Sequence, residues 1–423
     1  MINIYSFLIN LLFPFYLIII YFRTIINKED KKRFKEKFIS PEKLRGSNNK
    51  EKIWFHASSL GEVTSVLNII KNLNKKYPDY EILITTVTLS SGKMIEKFAL
   101  ENKFVTHYYF PYDKKKIINN FLNFYNPKIV MFVDSEIWPN FIFEINKRKI
   151  PLILLNARIT QKTNLRCNKI SKFSKILFQK FDLFIAASEE SRQNLKNFNI
   201  NNVKFFGNLK YSANYKTVKL QDNLINILEK SKPWIAASTH EDEEKFCLKA
   251  HLLIKFRVKN LITIIAPRHL TRIKKIENYC KNLNIKYEIY DGKNNLKDNF
   301  EVLLINSFGL LNGLYKQCNS VFMGKSIIEK FKFSGGQNPI EAAKEGCKIY
   351  HGKYVYNFKD VYNFLNGLNI SKLIVNEQDL SEKIIENSQN KSFAFNDRVK
   401  KLDNIGNDIL QKTISEISKY LDK

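Results

Sequence analysis

Apolar residues along this chain follow two alternating rhythms. Short runs rich in Ile, Val, Leu and Phe occur at 53–57, 81–88, 105–110, 129–136, 151–158 and 181–188. Between them, at 62–76, 92–102, 113–125 and 138–149, apolar positions fall three and four residues apart. The first rhythm predicts strands apolar on both faces and the second predicts amphipathic helices, so the combination is a parallel sheet covered on each side. The pattern then restarts, with strands predicted at 231–239, 261–267, 286–290, 301–307, 320–326 and 347–352 and helices that include 241–257 and 271–283. Two α/β, doubly wound domains in tandem are expected, with ligands at the C-terminal ends of their strands and across a cleft between them.

This reading gives a first domain over 51–210, a polar linker over 211–230, a second domain over 231–392 and a closing helix over 393–423. A length of 423 residues suits two domains better than one core. Residues 2–22, "INIYSFLINLLFPFYLIIIYF", carry no charge and are followed by a basic stretch within 23–50. The run has the length of a bilayer crossing, and the bases follow it rather than precede it, as in an uncleaved anchor rather than a signal peptide. The positive-inside rule then puts the rest of the chain on the cytoplasmic side. Pro14 and Asn10 leave two arrangements open, a helix that spans the bilayer and one that lies in a single leaflet.

Charge adds a constraint on partners. The chain holds 69 Lys and Arg against 41 Asp and Glu, a formal net charge of +28. Such a field favours polyanions, among them nucleic acid, anionic membranes and phosphorylated substrates. The lysines are scattered, however, without the clustered bases and interleaved aromatics of a nucleic-acid module, so a non-catalytic binding protein is the weaker reading and no nucleic-acid partner is expected. Five widely separated cysteines contain no C-x-x-C pair, which indicates neither a disulfide framework nor a zinc cage.

Candidate chemistry gathers at strand ends. In "HASSLGE", Gly61 permits close approach and Glu62 stands in the first turn of a helix, where the helix dipole favours the anion that a general base must be. A helix-capping carboxylate is the competing reading. "FVDSEIWPN" places Asp134 and Glu136 two apart at the end of a strand, a D-x-E arrangement that suits a divalent metal but lacks a recognisable third ligand. Lys210 in "GNLKY" and Arg268 in "APRH" lie at equivalent edges, suited to an anion. "SGGQNPIEAA" reads as a Gly-Gly turn entering a helix, with free N–H groups for a phosphate and Glu341 for ribose hydroxyls.

Taken in order, "HASSLGE", "DSEIWPN", "NAR", "GNLKY", "STHEDEE", "APRH" and "GGQNPIEAA" resemble the motifs of the bacterial transferases of 3-deoxy-D-manno-octulosonic acid (Kdo). The resemblance covers nearly the whole chain. It implies the GT-B fold, two Rossmann-like domains facing a cleft, with an N-terminal membrane anchor. It also implies an inverting, metal-independent transfer of Kdo from CMP-Kdo to the lipid A precursor at the cytoplasmic face of the inner membrane, in lipopolysaccharide biosynthesis. CMP-Kdo is then a donor substrate and no cofactor is required.

Carried over, the resemblance makes Glu62 the general base, and Glu136 and Lys210 the stabilisers of the transition state. Pro267, Arg268, Phe308, Gly309, Leu310, Asn338, Pro339, Ile340 and Glu341 fall on its CMP-binding positions, and no residue on a metal. Three positions depart from the family: Leu310 stands where a carboxylate is usual, Gln337 where many relatives have His, and Lys325 interrupts a Gly-Gly-Ser. These departures keep open a GT-B glycosyltransferase with a different nucleotide-sugar donor.

Overall fold

The computed structural model describes residues 1–43, 50–214, 218–297, 299–389 and 394–422. Residues 44–49 of the basic stretch, 215–217 of the expected linker and 390–393 before the last helix lie outside the described residues. The chain divides into two compact units, residues 1–214 with 405–423, and residues 215–404.

The first unit is built on seven parallel strands: β1 (Lys52–His56), β2 (Glu81–Thr86), β3 (Val105–Tyr109), β4 (Pro127–Val133), β5 (Leu152–Ala157), β6 (Leu183–Ala186) and β7 (Val203–Phe205). Their order is β3-β2-β1-β4-β5-β6-β7. The chain therefore reverses direction across the sheet between β1 and β4, and the loops leaving those two strands part there, the usual binding position in a doubly wound sheet. Every residue of β1, β2 and β5 is buried, as unbroken apolar runs require. Trp54 on β1 anchors the core, with the rings of Phe121, Phe132 and Phe141 centred 5.0, 5.7 and 5.7 Å away. Its indole N–H donates to Thr85 Oγ1 at 2.9 Å, so the polar end of the ring is also satisfied.

The second unit repeats the plan with a variation. Strands β8 (Lys232–Thr239), β9 (Leu261–Pro267), β10 (Tyr287–Tyr290), β11 (Val302–Ile305), β12 (Ser320–Met323), β13 (Lys348–His351) and β14 (Ser371–Leu373) are ordered β10-β11-β9-β8-β12-β13-β14. Here β11 inserts between β9 and β10, and the reversal falls between β8 and β12. Trp234, Phe246, Ile265, Phe322 and Tyr350 belong to its core.

The domain boundaries differ from the sequence expectation. The stretch 211–230 is not a bare linker: residues 209–212 form a 3-10 turn, and Asp222–Glu229 is a helix that buries Leu224 and Leu228 in the second unit. The helix expected over 393–423 runs Ala394–Leu421 and is shared, its residues from Ile405 onward belonging to the first unit. There Lys76 Nζ donates to Ser418 Oγ and Tyr420 Oη to the Asp182 carbonyl.

The apolar N-terminal segment is a helix over Ile2–Ile25. Its partly or fully protected positions, 2, 5, 6, 9, 13, 16, 17, 20, 23 and 24, form one stripe along its whole length.

Candidate active site

The loops after β1 and β4 bring most of the expected carboxylates together. After His56 the chain runs through Ser58 and Ser59 into the helix Leu60–Lys76, capped at Ser59, which puts Glu62 in the first turn. Glu62 Oε2 accepts the Ser58 N–H and Oε1 the Ser59 hydroxyl, each at 2.8 Å. The carboxylate thus does tie down the helix start, as the capping reading held. It is not, however, kept strongly acidic there. Burial, helped by repulsion from Asp134 and Glu136, overrides the two hydrogen bonds and raises its pKa to about 7. Gly61 leaves open space where a side chain would be.

Glu136 is tuned the opposite way. Burial works against its charge, but hydrogen bonds from His56, Ser58 and Trp138 together hold the carboxyl below its ordinary pKa. His56 Nε2 lies 3.2 Å and Trp138 Nε1 2.7 Å from Glu136 Oε2. His56 is fully buried, with its ring stacked on Phe110 at 3.6 Å and its Nδ1 3.0 Å from Thr85 Oγ1. The same Nδ1 also lies 3.2 Å from the Thr85 carbonyl, so Thr85, whose hydroxyl accepts from Trp54, fixes the orientation of the ring.

Asp134 departs from its sequence reading. β4 ends at Val133 and Asp134 takes a left-handed φ of 66°, so Asp134 and Glu136 do not share a strand face as a D-x-E motif on a strand would. Each has its own partner instead: Asp134 Oδ2 meets Lys210 Nζ at 3.4 Å, and Glu136 meets His56. Lys210 sits in the 3-10 turn after β7, whose start is fixed by Asn156 Oδ1 accepting the Leu209 N–H at 3.0 Å. Glu62, Asp134, Glu136 and Lys210 therefore form one charged cluster at the β1/β4 reversal.

In the second unit, Pro267 ends β9 and Arg268 follows it, its N–H donating to the Thr239 carbonyl at 2.9 Å. Phe308, Gly309 and Leu310 leave β11, the neighbour of β9, and Phe308 is exposed. Asn338 and Pro339 precede a helix of only five residues, Ile340–Lys344, with Pro339 at its cap. So short a helix offers only a weak dipole to a phosphate. Gly335 of the Gly-Gly turn is packed against the carbonyls of Tyr354, Lys325 and Phe331, so it serves close backbone packing rather than an open cradle. Glu341 is raised to about 7 by burial and by Glu345.

Three groups that sequence reasoning left without a role complete the two sites. His56 opens the first motif and was legible only as a buried polar residue at a strand end. Glu243 of "STHEDEE" accepts N–H groups from His240, Lys325 and Ser326 at 3.0, 2.6 and 2.8 Å, which pins the loops after β8 and β12 to each other at their reversal. His240 has its pKa lowered to about 4 by burial and by the positive charges of Lys325, His269 and Arg268, which marks a concentration of cations at that edge. Among the described residues no group of three or more His, Cys, Asp and Glu is arranged to hold a metal ion.

The family described as 3-Deoxy-D-manno-octulosonic-acid transferase (kdotransferase) matches residues 32–213. The 3-deoxy-D-manno-octulosonic acid transferase of Rickettsia bellii is 33% identical over 356 residues, covering 83% of this chain and 82% of its own. That of Haemophilus influenzae is 27% identical over 376 residues, covering 88% and 86%. A crystal structure of a putative UDP-N-acetylglucosamine 2-epimerase from Listeria monocytogenes shares the fold, with a TM-score of 0.61 at 13% identity over 88% of this chain and 97% of that one. With two Rossmann-like parallel sheets of the GT-B type and this degree of identity to curated relatives, the chain belongs to the Kdo transferase family of glycosyltransferases.

Proposed function

We propose that the enzyme transfers Kdo from CMP-Kdo to the primary hydroxyl of a lipid A precursor, with inversion and without a metal or other cofactor, and that Glu62 is the general base. The observation that carries this reading is the divergence of two neighbouring carboxyls, Glu62 at about 7 and Glu136 below its ordinary range. A base poised near neutrality can take a proton and yet be ionised when substrate arrives, and a neighbour that stays ionised supplies fixed negative charge.

In this scheme Glu62 removes the hydroxyl proton as the oxygen bonds to the anomeric carbon. The bond from that carbon to the CMP phosphate breaks, and CMP leaves with the electron pair. Glu136 stabilises the positive charge that develops on the sugar ring, and Lys210 the negative charge on the leaving phosphate. Pro267, Arg268, the segment Phe308–Leu310 and the segment Asn338–Glu341 bind CMP, and the cation concentration around Arg268 and Lys325 suits a donor with a phosphate and a carboxylate. The N-terminal helix holds the enzyme to the cytoplasmic leaflet of the inner membrane, where the acceptor lies. The deciding experiment is incubation of the purified enzyme with CMP-Kdo and lipid A precursor in EDTA. It should release CMP and give a lipid heavier by Kdo, whereas dependence on a divalent ion, or use of another nucleotide sugar alone, would overturn the scheme.

A further inference from the structure

The N-terminal helix is fastened to the first unit at three places along its length. Near its start, Tyr5 Oη donates to Asp113 Oδ2 at 2.8 Å and Ser6 Oγ to Asn140 Oδ1 at 2.5 Å. Asp113 is itself buried, and its carboxylate also accepts the N–H groups of Asn140 and Phe141. In the middle, the rings of Phe13 and Tyr16 lie 5.4 and 4.1 Å from that of Tyr112, and Lys114 Nζ lies 4.2 Å over Phe13. At the far end, Arg23 pairs with Glu29 at 2.7 Å, and Glu29 with Lys37 at 2.6 Å. Lys37 then donates to the Val87 carbonyl beyond β2.

A helix of 24 residues is about 36 Å long, enough to cross a bilayer. If this one crossed, however, its clamps would have to cross with it. Asp113, Lys114, Glu29 and Lys37 are spread from one end of the helix to the other, and charged groups together with irregular loops would be carried to hydrocarbon depth. The opposite arc of the helix carries no such burden. Phe7, Leu11, Phe15, Ile18, Phe22 and Ile25 are each more than half exposed. Beyond the helix, Lys28, Lys31, Lys32 and Lys35 are exposed, a basic collar of the kind that binds anionic headgroups.

We infer that the helix is an in-plane anchor, clamped lengthwise to the first unit, with its open arc sunk among the acyl chains of a single leaflet. This rests on the membrane association proposed above and excludes the spanning arrangement. It also positions the active site. Tyr112 to Lys114 follow Phe110, the ring beneath His56, and Asn140 stands two residues beyond Trp138, a donor to Glu136. The helix is thereby docked on the loop after β3 and on the start of the helix that follows the Glu136 loop, beside the carboxylate cluster, which holds that edge of the sheet at the lipid surface. An acceptor with its acyl chains in the leaflet then needs no extraction to present its sugar hydroxyl.

The test uses the full chain with Cys167→Ser, since the other four cysteines are buried, added to preformed vesicles of phosphatidylethanolamine and phosphatidylglycerol. Spin labels on F7C, F15C and F22C should report the same depth in the bilayer. Cysteines at Asn3→Cys and Lys28→Cys should both react with an impermeant maleimide from the outside. A label at residue 15 much deeper than those at residues 7 and 22, or protection of residue 3 until detergent is added, would show a spanning helix and overturn the inference. Failure of the protein to bind vesicles at all would overturn the membrane association too. CMP release in detergent would then still report separately on the proposed transfer.

Discussion

Glu136 and Glu62 stand at the same sheet edge and repel each other, yet only one of them is dressed with donors strong enough to outweigh burial. His56 and Trp138 converge on a single oxygen of Glu136, at 3.2 and 2.7 Å, whereas Glu62 accepts from one serine N–H and one serine hydroxyl. In the scheme proposed above, this asymmetry supports a proton-accepting part for Glu62 and a fixed-charge part for Glu136.

The substitution E62Q keeps an acceptor for the Ser58 N–H but removes the base. The turnover number should fall by about 10²–10⁴, the usual contribution of a positioned general base, with little change in KM for the donor. In the unmodified enzyme the rate should rise with pH through about 7. CMP release measured across pH checks both, and a flat profile or a fully active variant would remove Glu62 from its assigned part.

The same carboxyl should reduce stability above neutrality. Its folded pKa is raised, so between the ordinary value of 4.5 and about 7 the folded state holds a proton that the unfolded state releases. Stability therefore falls as pH rises through that window. E62Q should be more stable than the natural chain at pH 8, by something on the order of 2 kcal/mol, with the gap closing by pH 4.5. Thermal melts at the two pH values give the comparison.

Replacing His56 tests whether Glu136 depends on its donor. H56A should lower the turnover number about tenfold or more, and move the acidic limb of the rate profile upward as Glu136 becomes easier to protonate. H56Q, which can return an N–H to the same place, should recover part of the loss. Equal damage by both variants, without any shift in the profile, would make His56 a packing residue only.

Loss of Lys210 should affect both stability and chemistry. Asp134 Oδ1 is buried without a hydrogen-bond partner, so removing the cation from Oδ2 leaves a carboxylate poorly compensated. K210M should cost about 1–3 kcal/mol in denaturant melts and lower the turnover number. Adding D134N should restore stability without restoring activity.

Much of the fold was legible because its strands are buried on both faces, and continuous apolar runs such as 151–158 have few other uses. The edge strands β7 and β14 are three residues each and carry no run long enough to read. Glu62, Glu136 and Lys210 were legible as charges at strand ends, and the structure gathers all three. What the pattern missed was set by backbone conformation and by distant partners. The left-handed turn at Asp134 ended the strand at Val133, short of Glu136, and His56 gained its meaning only from Thr85, Phe110 and Glu136. The short helix at Ile340 looked like a fuller anion cradle because Pro339 and the alanines promise a helix without saying how long it will be.

The last helix gives the molecule an unusual order of assembly. Residues 405–423 pack with the first unit although the whole of 215–404 precedes them. A ribosome therefore releases the carboxylate-bearing sheet early but supplies its final packing element only after the second unit has emerged. Chains interrupted near residue 404 would leave the first unit incomplete, with Ile409 missing from beside Gly207 and Tyr420 from above Asp182. Truncation at the C-terminal end should thus appear as premature loss of the first unit, while the second unit, made later, remains whole.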